Sequence, residues 1–321
     1  MSKKMEKSKS STEVRMPRNA GSCIVTGFFL YADNFRRIFR LSWIPAVVYS
    51  ILFAFLGSLC VEKLPRIVVY ALQYGTLEGA DYVLPLVLIA LLFVLGGFVE
   101  VVFYSCGIYF LGPKEKMLRW FEINLRTAIR CILAALWWVL FTIIPNIILA
   151  VLFDQKLRFA LLDPWNHKML FSLTALFIII VAIALLPMVH ITMVYLMNGK
   201  TKMVRLIKTN YVMCMRRLPF ILSVCLVNLL VIAIFGFIIQ QPAIILLAAN
   251  LFANIGTLYG DPLGMPHYIS WLTFAVFFLA GFLQAYIRMS VVFTTYYMYG
   301  SIEAREEERR KAIDALNKDE G

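Results

Sequence analysis

Charge is scarce in this sequence. Only 16% of its 321 residues are Asp, Glu, Lys or Arg, where soluble domains carry about a quarter. Hydrophobic residues make up 61%, too many for the two soluble domains that this length would otherwise suggest. Histidine is scarcer still, with His167, His190 and His267 the whole set. These three form no HxxxH or HxxHH pair, so this chain alone cannot assemble a membrane di-iron oxygenase site. HExxH, GxxxxGK[ST] and GxSxG are missing, which removes zinc-protease, P-loop and nucleophile-elbow chemistry. The Asp-rich signature of phospholipid-synthesising alcohol phosphotransferases is missing too. Such chemistry needs several groups at fixed spacing, so the sequence predicts no enzyme, no metal and no cofactor. The six cysteines (Cys23, Cys60, Cys106, Cys131, Cys214 and Cys225) avoid the interior of any outer loop. They read as free thiols rather than a disulfide framework.

Long apolar blocks are what the chain has instead. A block of about twenty residues crosses ~30 Å of hydrocarbon at ~1.5 Å per residue. Runs such as ILFAFLG and LFIIIVAIALL are apolar all round, unlike the amphipathic helices of a soluble core. Six spans are expected, at 41–61, 83–111, 131–153, 168–198, 218–240 and 268–299. The fold class is therefore all-α integral membrane. The even-numbered spans are long enough to tilt or to continue beyond the bilayer. QQPAIILLAANLFANIG, after the fifth span, is apolar but short. It reads as a separate interfacial or re-entrant helix over 241–256.

Lys and Arg fall on one side. The segment up to Arg40 carries nine, 112–130 five, 199–217 six and the tail after Gly300 five, against five in the alternate loops. By the positive-inside rule, both termini are cytoplasmic. The net charge of +12 then suits an anionic leaflet, and no nucleic acid is needed to explain it.

Three heptamers share a frame ahead of apolar runs: NFRRIFR (Asn34 to Arg40), NLRTAIR (Asn124 to Arg130) and NYVMCMR (Asn210 to Arg216). At a shift of 86 residues, YFLGPKEKMLRWFEINLRTAIR lies over YLMNGKTKMVRLIKTNYVMCMR. At 100° per residue, Val204, Ile207, Tyr211 and Met215 form one stripe against Lys202, Arg205, Lys208 and Arg216. The other copies set Leu118, Phe121, Leu125 and Ile129 against Arg126 and Arg130, and Phe28, Tyr31, Phe35 and Phe39 against Arg36 and Arg40. These are the marks of interfacial helices, apolar face in the acyl boundary and basic face toward headgroups. The predicted unit is an interfacial amphipathic helix plus a helical hairpin, repeated at about 22–112, 113–198 and 199–300. A disordered basic arm precedes it over 1–21. A charged helical tail follows over 301–321 and extends the sixth helix, with Glu306–Arg310 and Glu307–Lys311 as i,i+4 pairs.

The stretch GFFLYADNFRRIFRLSWIPAVVYSILFAFLG, and its return at LIKTNYVMCMRRLPFILSVCLVNLLVIAIFGFI, resembles a group of bacterial six-span membrane proteins. That group includes the membrane domain found beside glycerophosphodiester phosphodiesterases. The resemblance implies a bacterial cytoplasmic membrane address and an accessory role. It carries over no catalytic residues, since the phosphodiesterase chemistry belongs to a separate soluble domain.

The candidate sites are of two kinds. Glu100 and Arg288 lie within spans, each twelve residues before a glycine read as the end of its helix (Gly112, Gly300). A charge at such depth costs about 2.5–3.5 kcal/mol or more and calls for a partner or a wet cavity. An ion pair between them is expected. An alternative register sets Glu100 against Gln284, and His190 is read as lining the same region. The second kind faces anionic lipid: Arg36, Arg40, Arg126, Arg130, Lys208 and Arg216. The leading functional expectation is a non-enzymatic scaffold or accessory factor that engages anionic headgroups or a protein partner. The second is a transporter or lipid-handling protein built around Glu100 and Arg288.

Overall fold

A computed structural model describes residues 14–74, 83–111, 125–143, 145, 164–198, 201–258, 266 and 268–319. Among these residues there are seven helices and no strand. They are α1 (Ala20–Tyr74), α2 (Val83–Leu111), α3 (Leu125–Ile143), α4 (Pro164–Met197), α5 (Met203–Arg216), α6 (Leu218–Leu258) and α7 (Tyr268–Asp319). All but α5 contain a stretch long and apolar enough to cross a membrane. Helix follows directly from that composition, because hydrocarbon offers the backbone no hydrogen-bond partners and a helix satisfies its own. The protein is a multi-pass helical membrane protein.

The bounds of α2 coincide with the expected second span. Three other bounds differ. The first lead-in runs straight into the first span, so α1 is one helix of 55 residues. The 241–256 stretch is not a separate interfacial or re-entrant helix. It continues α6 through Pro242 to Leu258. Pro242 removes one backbone bond, and the apolar run on each side holds the helix together across it. The tail extends the sixth helix as expected, α7 running on for 52 residues in all, so Gly300 lies inside the helix and is not its end. The 131–153 span is described only as far as Ile143 and at Pro145, and Gly112 lies outside the described residues.

The third lead-in behaves differently from the first. α5 stops at Arg216, Arg217 turns with φ −103° and ψ 15°, and its N–H donates to the carbonyl of Cys214 at 3.0 Å. α6 then begins at Leu218 with Pro219 in its first turn. Proline is well tolerated there, where its missing N–H would have found no helical partner.

The chain forms two compact units. One draws on Tyr31–Phe110 and Val227–Val292. Its centre is aromatic: Tyr286 of α7 meets Phe35, Phe39 and Phe103 with ring centroids at 5.6, 5.6 and 5.3 Å. Such pairs contribute ~0.5–1.5 kcal/mol each beyond the area they bury. Glycines let α1 and α7 approach closely in this unit, a Cβ on Gly281 falling 2.8 Å from the Phe53 ring.

The other unit draws on Met1–Leu30, Leu111–Leu226 and Phe293–Gly321. There a Cβ on Gly27 would fall 2.6 Å from the Thr294 Cα, so bare backbone at α1 makes the packing against α7 possible. Trp138 of α3 donates to Thr192 of α4 at 3.0 Å, and Tyr211 of α5 donates to the Ala184 carbonyl of α4 at 3.0 Å.

Candidate functional site

In the first of these units, α2 presents Glu100 and α7 presents Arg288. Arg288 Nη1 donates to Glu100 Oε1 at 2.9 Å. Tyr104, one turn further along α2, donates its hydroxyl to the same oxygen at 2.8 Å. Tyr49 of α1, only 5% exposed, neighbours both charges. The pair is not sealed, since the Arg288 and Glu100 side chains remain 31% and 22% exposed. A carboxylate held by a guanidinium and a phenol is a charge-assisted network, roughly twice as strong per bond as neutral pairs.

Gln284 does not join Glu100 in a hydrogen bond. It is buried one turn before Arg288 and accepts a hydrogen bond from Gln240 of α6 at 2.9 Å. Gly236, one turn before Gln240, leaves room for it: a Cβ there would stand 3.3 Å from Gln284 Nε2. α7 thus carries two successive polar layers, each completed by a different helix. Tyr104, Tyr49 and Gln240 are missing from the sequence reading. Gln240 had a signal in the paired glutamines at the end of an apolar run, and the tyrosines had none beyond ordinary aromatic content.

His190 belongs to the other unit, and this corrects its grouping with Glu100 and Arg288. It lies on α4, fully buried, with Nδ1 3.2 Å from Cys214 Sγ of α5. Thiol or ring N–H can donate there, according to the tautomer of the ring. Nε2 has no hydrogen-bond partner and stops 3.7 Å from Glu303 Oε1 of α7. The Tyr299 ring lies beside the imidazole at 5.7 Å. Thiol, imidazole and carboxylate thus follow one another in the order of an activated nucleophile. Burial, with the Glu303 charge adding to it, pushes the Cys214 thiol up to about 12, which holds it in the thiol form. Only a thiolate attacks or binds metal. All six cysteines are free thiols. No group of three His, Cys, Asp or Glu among the described residues could hold a metal ion.

Five of the six residues read as lipid-facing, Arg36, Arg40, Arg126, Lys208 and Arg216, are exposed. Arg130 is not available in the same way. Its guanidinium donates to the carbonyls of Tyr195, Leu196 and Asn198, at 3.4 Å for Leu196 and 2.8 Å for Asn198, and lies 4.8 Å from the Tyr195 ring centroid. Those are carbonyls at the end of α4, which the helix itself cannot satisfy. A cation there also meets the negative end of the helix dipole. Arg130 therefore caps α4.

α5 shows how such a helix divides its surface. Met203, Leu206 and Cys214 are buried in the protein. Val204 and Met215 stand 48% and 39% exposed on another side, and Val212, 61% exposed, lies between Lys208 and Arg205. Lys202, Arg205, Lys208 and Arg216 are exposed beside them. Leu125 and Ile129 at the start of α3 are likewise exposed, and the earlier part of that lead-in lies outside the described residues. No family model, curated protein or solved structure matches this chain.

Proposed function

We propose that this protein is a non-enzymatic scaffold or accessory factor that holds anionic lipid at one face of the membrane. The observation supporting this is the outer face of α5, where exposed Val204, Val212 and Met215 are interleaved with exposed Arg205, Lys208 and Arg216. A helix that only marked topology would need no exposed apolar side, and a helix that only packed would need no basic one. The pairing of an apolar stripe with adjacent cations suits the boundary between acyl chains and phosphate headgroups. On this reading the basic faces are cytoplasmic, both termini lie on that side, and the membrane is a bacterial inner membrane. A protein partner would meet the same surface.

The test replaces Arg36, Arg40, Arg126, Lys208 and Arg216 together with Gln. Each cation near an anionic surface contributes about 1 kcal/mol. The variant should lose most co-purifying anionic lipid by mass spectrometry, and high salt should produce the same loss in the unmodified protein. Retention unchanged by both would overturn the proposal. The partial exposure of Glu100 and Arg288 favours a second reading, transport or lipid handling at that pair, which the double replacement described below separates from a locked bundle.

A further inference from the structure

α4 carries a proline in its interior, and α5 touches α4 on either side of it. Pro187 has no N–H to give the Ile183 carbonyl one turn earlier, and its ring crowds that carbonyl. The helix nonetheless runs unbroken from Pro164 to Met197. In hydrocarbon such a defect is tolerated where a neighbouring helix supplies polar contacts to the freed backbone. Tyr211 of α5 supplies one, donating its hydroxyl to the Ala184 carbonyl at 3.0 Å, three residues before the proline. Three residues after it, His190 Nδ1 lies 3.2 Å from the Cys214 Sγ of α5. α5 therefore splints α4 across Pro187.

Tyr211 also belongs to the outer surface of α5. It shares one side of the helix with Val204, Lys208 and Met215, all three exposed. Tyr211 itself is half-buried, and its bond to Ala184 is exposed. One side chain thus borders the proposed lipid surface and steadies the proline turn of α4. An acyl chain along Val204 and Met215 would exclude water from that bond, and a hydrogen bond is electrostatically stronger in low dielectric. On the far flank, His190 Nε2 is buried without a partner and stops 3.7 Å from Glu303 Oε1. A movement of about 1 Å would bring the two into hydrogen-bond range. This flank of α4 is therefore short of its best contact and not locked in it.

Resting on that reading of α5, we propose that lipid on its outer face controls how readily α4 opens at Pro187, with the Tyr211–Ala184 hydrogen bond as the link. With lipid in place the bond is sheltered and the turn after Pro187 stays closed. Without it, water competes for the Ala184 carbonyl and that turn opens.

The test places the full chain in nanodiscs of phosphatidylcholine alone or with phosphatidylglycerol added. Hydrogen exchange is followed by mass spectrometry at residues 188–194, and bound lipid is measured in the same samples. Exchange there should be about two- to tenfold slower with the anionic lipid, the effect of one hydrogen bond. Residues 103–108 of α2, which belong to the other compact unit, should not respond. Tyr211→Phe keeps the ring and removes the donor, so it should retain lipid while exchange at 188–194 becomes equally fast in both bilayers. Pro187→Ala restores the missing N–H, and exchange should be slow in both. Helical content is checked in each variant, and the unmodified chain decides by itself if either fails to fold. Bound lipid with equal exchange in the two bilayers would overturn this inference and leave the lipid reading standing. Lipid retention indifferent to the Gln replacements and to salt would overturn that reading and this inference with it. A lipid effect that survives Tyr211→Phe would show that the bond is not the link. Equal slowing at 103–108 would mark general stabilisation by the bilayer and reject the coupling.

Discussion

In the unit containing Tyr286, Arg288 reaches Glu100 at 2.9 Å and both side chains keep part of their exposure. In the unit containing Tyr297, His190 is wholly buried and its Nε2 stops 3.7 Å short of Glu303. Both pairings bring a base on one helix to a carboxylate on another, and both involve α7. They differ in what the buried group can do without its partner. A guanidinium carries its charge at any ordinary pH, so depth in the membrane demands a direct counter-charge. An imidazole can be neutral and needs only a modest hydrogen bond, which the Cys214 thiol supplies. The closeness of each pairing therefore follows from what its absence would cost.

The largest expected effect tests the tighter pair. Glu100→Gln and Arg288→Gln should each lower stability in detergent by about 2–4 kcal/mol, somewhat below the loss at a fully buried pair because of the remaining exposure. Combining them should restore much of that loss, the mark of a direct interaction rather than two separate ones. Simple addition of the two losses would reject the pairing. A neutral or stabilising Glu100→Gln, with no rescue in the double variant, would instead favour the transport reading, since functional charges tend to cost stability.

A smaller effect sharpens the contrast within one helix turn. Tyr104→Phe removes a hydrogen bond to a charged acceptor, about 1.5–3 kcal/mol. The same change in a Glu100→Gln background should cost distinctly less, and equal costs in both backgrounds would detach Tyr104 from the pair. His190→Leu, by comparison, should change stability by no more than about 1 kcal/mol. It removes the unpartnered Nε2 together with a weak hydrogen bond to the Cys214 thiol. A loss as large as that of Arg288→Gln would mean the two clusters are not so different.

The smallest effect is one of pH. The Cys214 thiol is held up to about 12 in the folded chain against an ordinary 9.0. Between those values the unfolded chain releases a proton that the folded chain keeps, so stability falls as pH rises through that window. Below it the stabilisation is constant. Cys214→Ala should flatten the decline measured by thermal unfolding between about pH 9 and the highest pH the protein tolerates. Iodoacetamide at pH 8 should leave Cys214 unmodified until the chain unfolds, and rapid alkylation of the native protein would contradict the burial.

The architecture was legible where apolar composition alone decides it, and α2 is the clearest case. Its apolar run is long and is interrupted by a single charge, Glu100. Pro242 and Gly300 misled for a shared reason: each residue ordinarily stops a helix, and each is retained here by something distant in sequence or by a strong run around it. Gly300 answers to Val14, whose carbonyl oxygen a Cβ there would strike, nearly the whole chain away, and no local pattern can announce that contact. The depth assigned to Arg288 by counting back from Gly300 lost its reference point for the same reason. Arg130 looked identical to Arg40 and Arg216 within its heptamer, yet its partners are carbonyls 65 to 68 residues further on. His190 was grouped with Glu100 and Arg288 from its place along the chain, and that grouping did not carry over into space. Pro219 marks why the third lead-in breaks away from its span and the first, whose Pro45 lies further along, does not.

α7 is continuous from Tyr268 to Asp319, with Gly300 inside it rather than at its end. At ~1.5 Å per residue its 52 residues trace roughly 78 Å, against about 40–45 Å for a whole bilayer with its headgroups. From Glu307 to Asn317 the helix is exposed along its whole circumference. Its last three turns are therefore held by its own backbone and by the ion pairs Lys311–Glu307 at 3.0 Å and Arg309–Glu306 at 3.3 Å, not by packing.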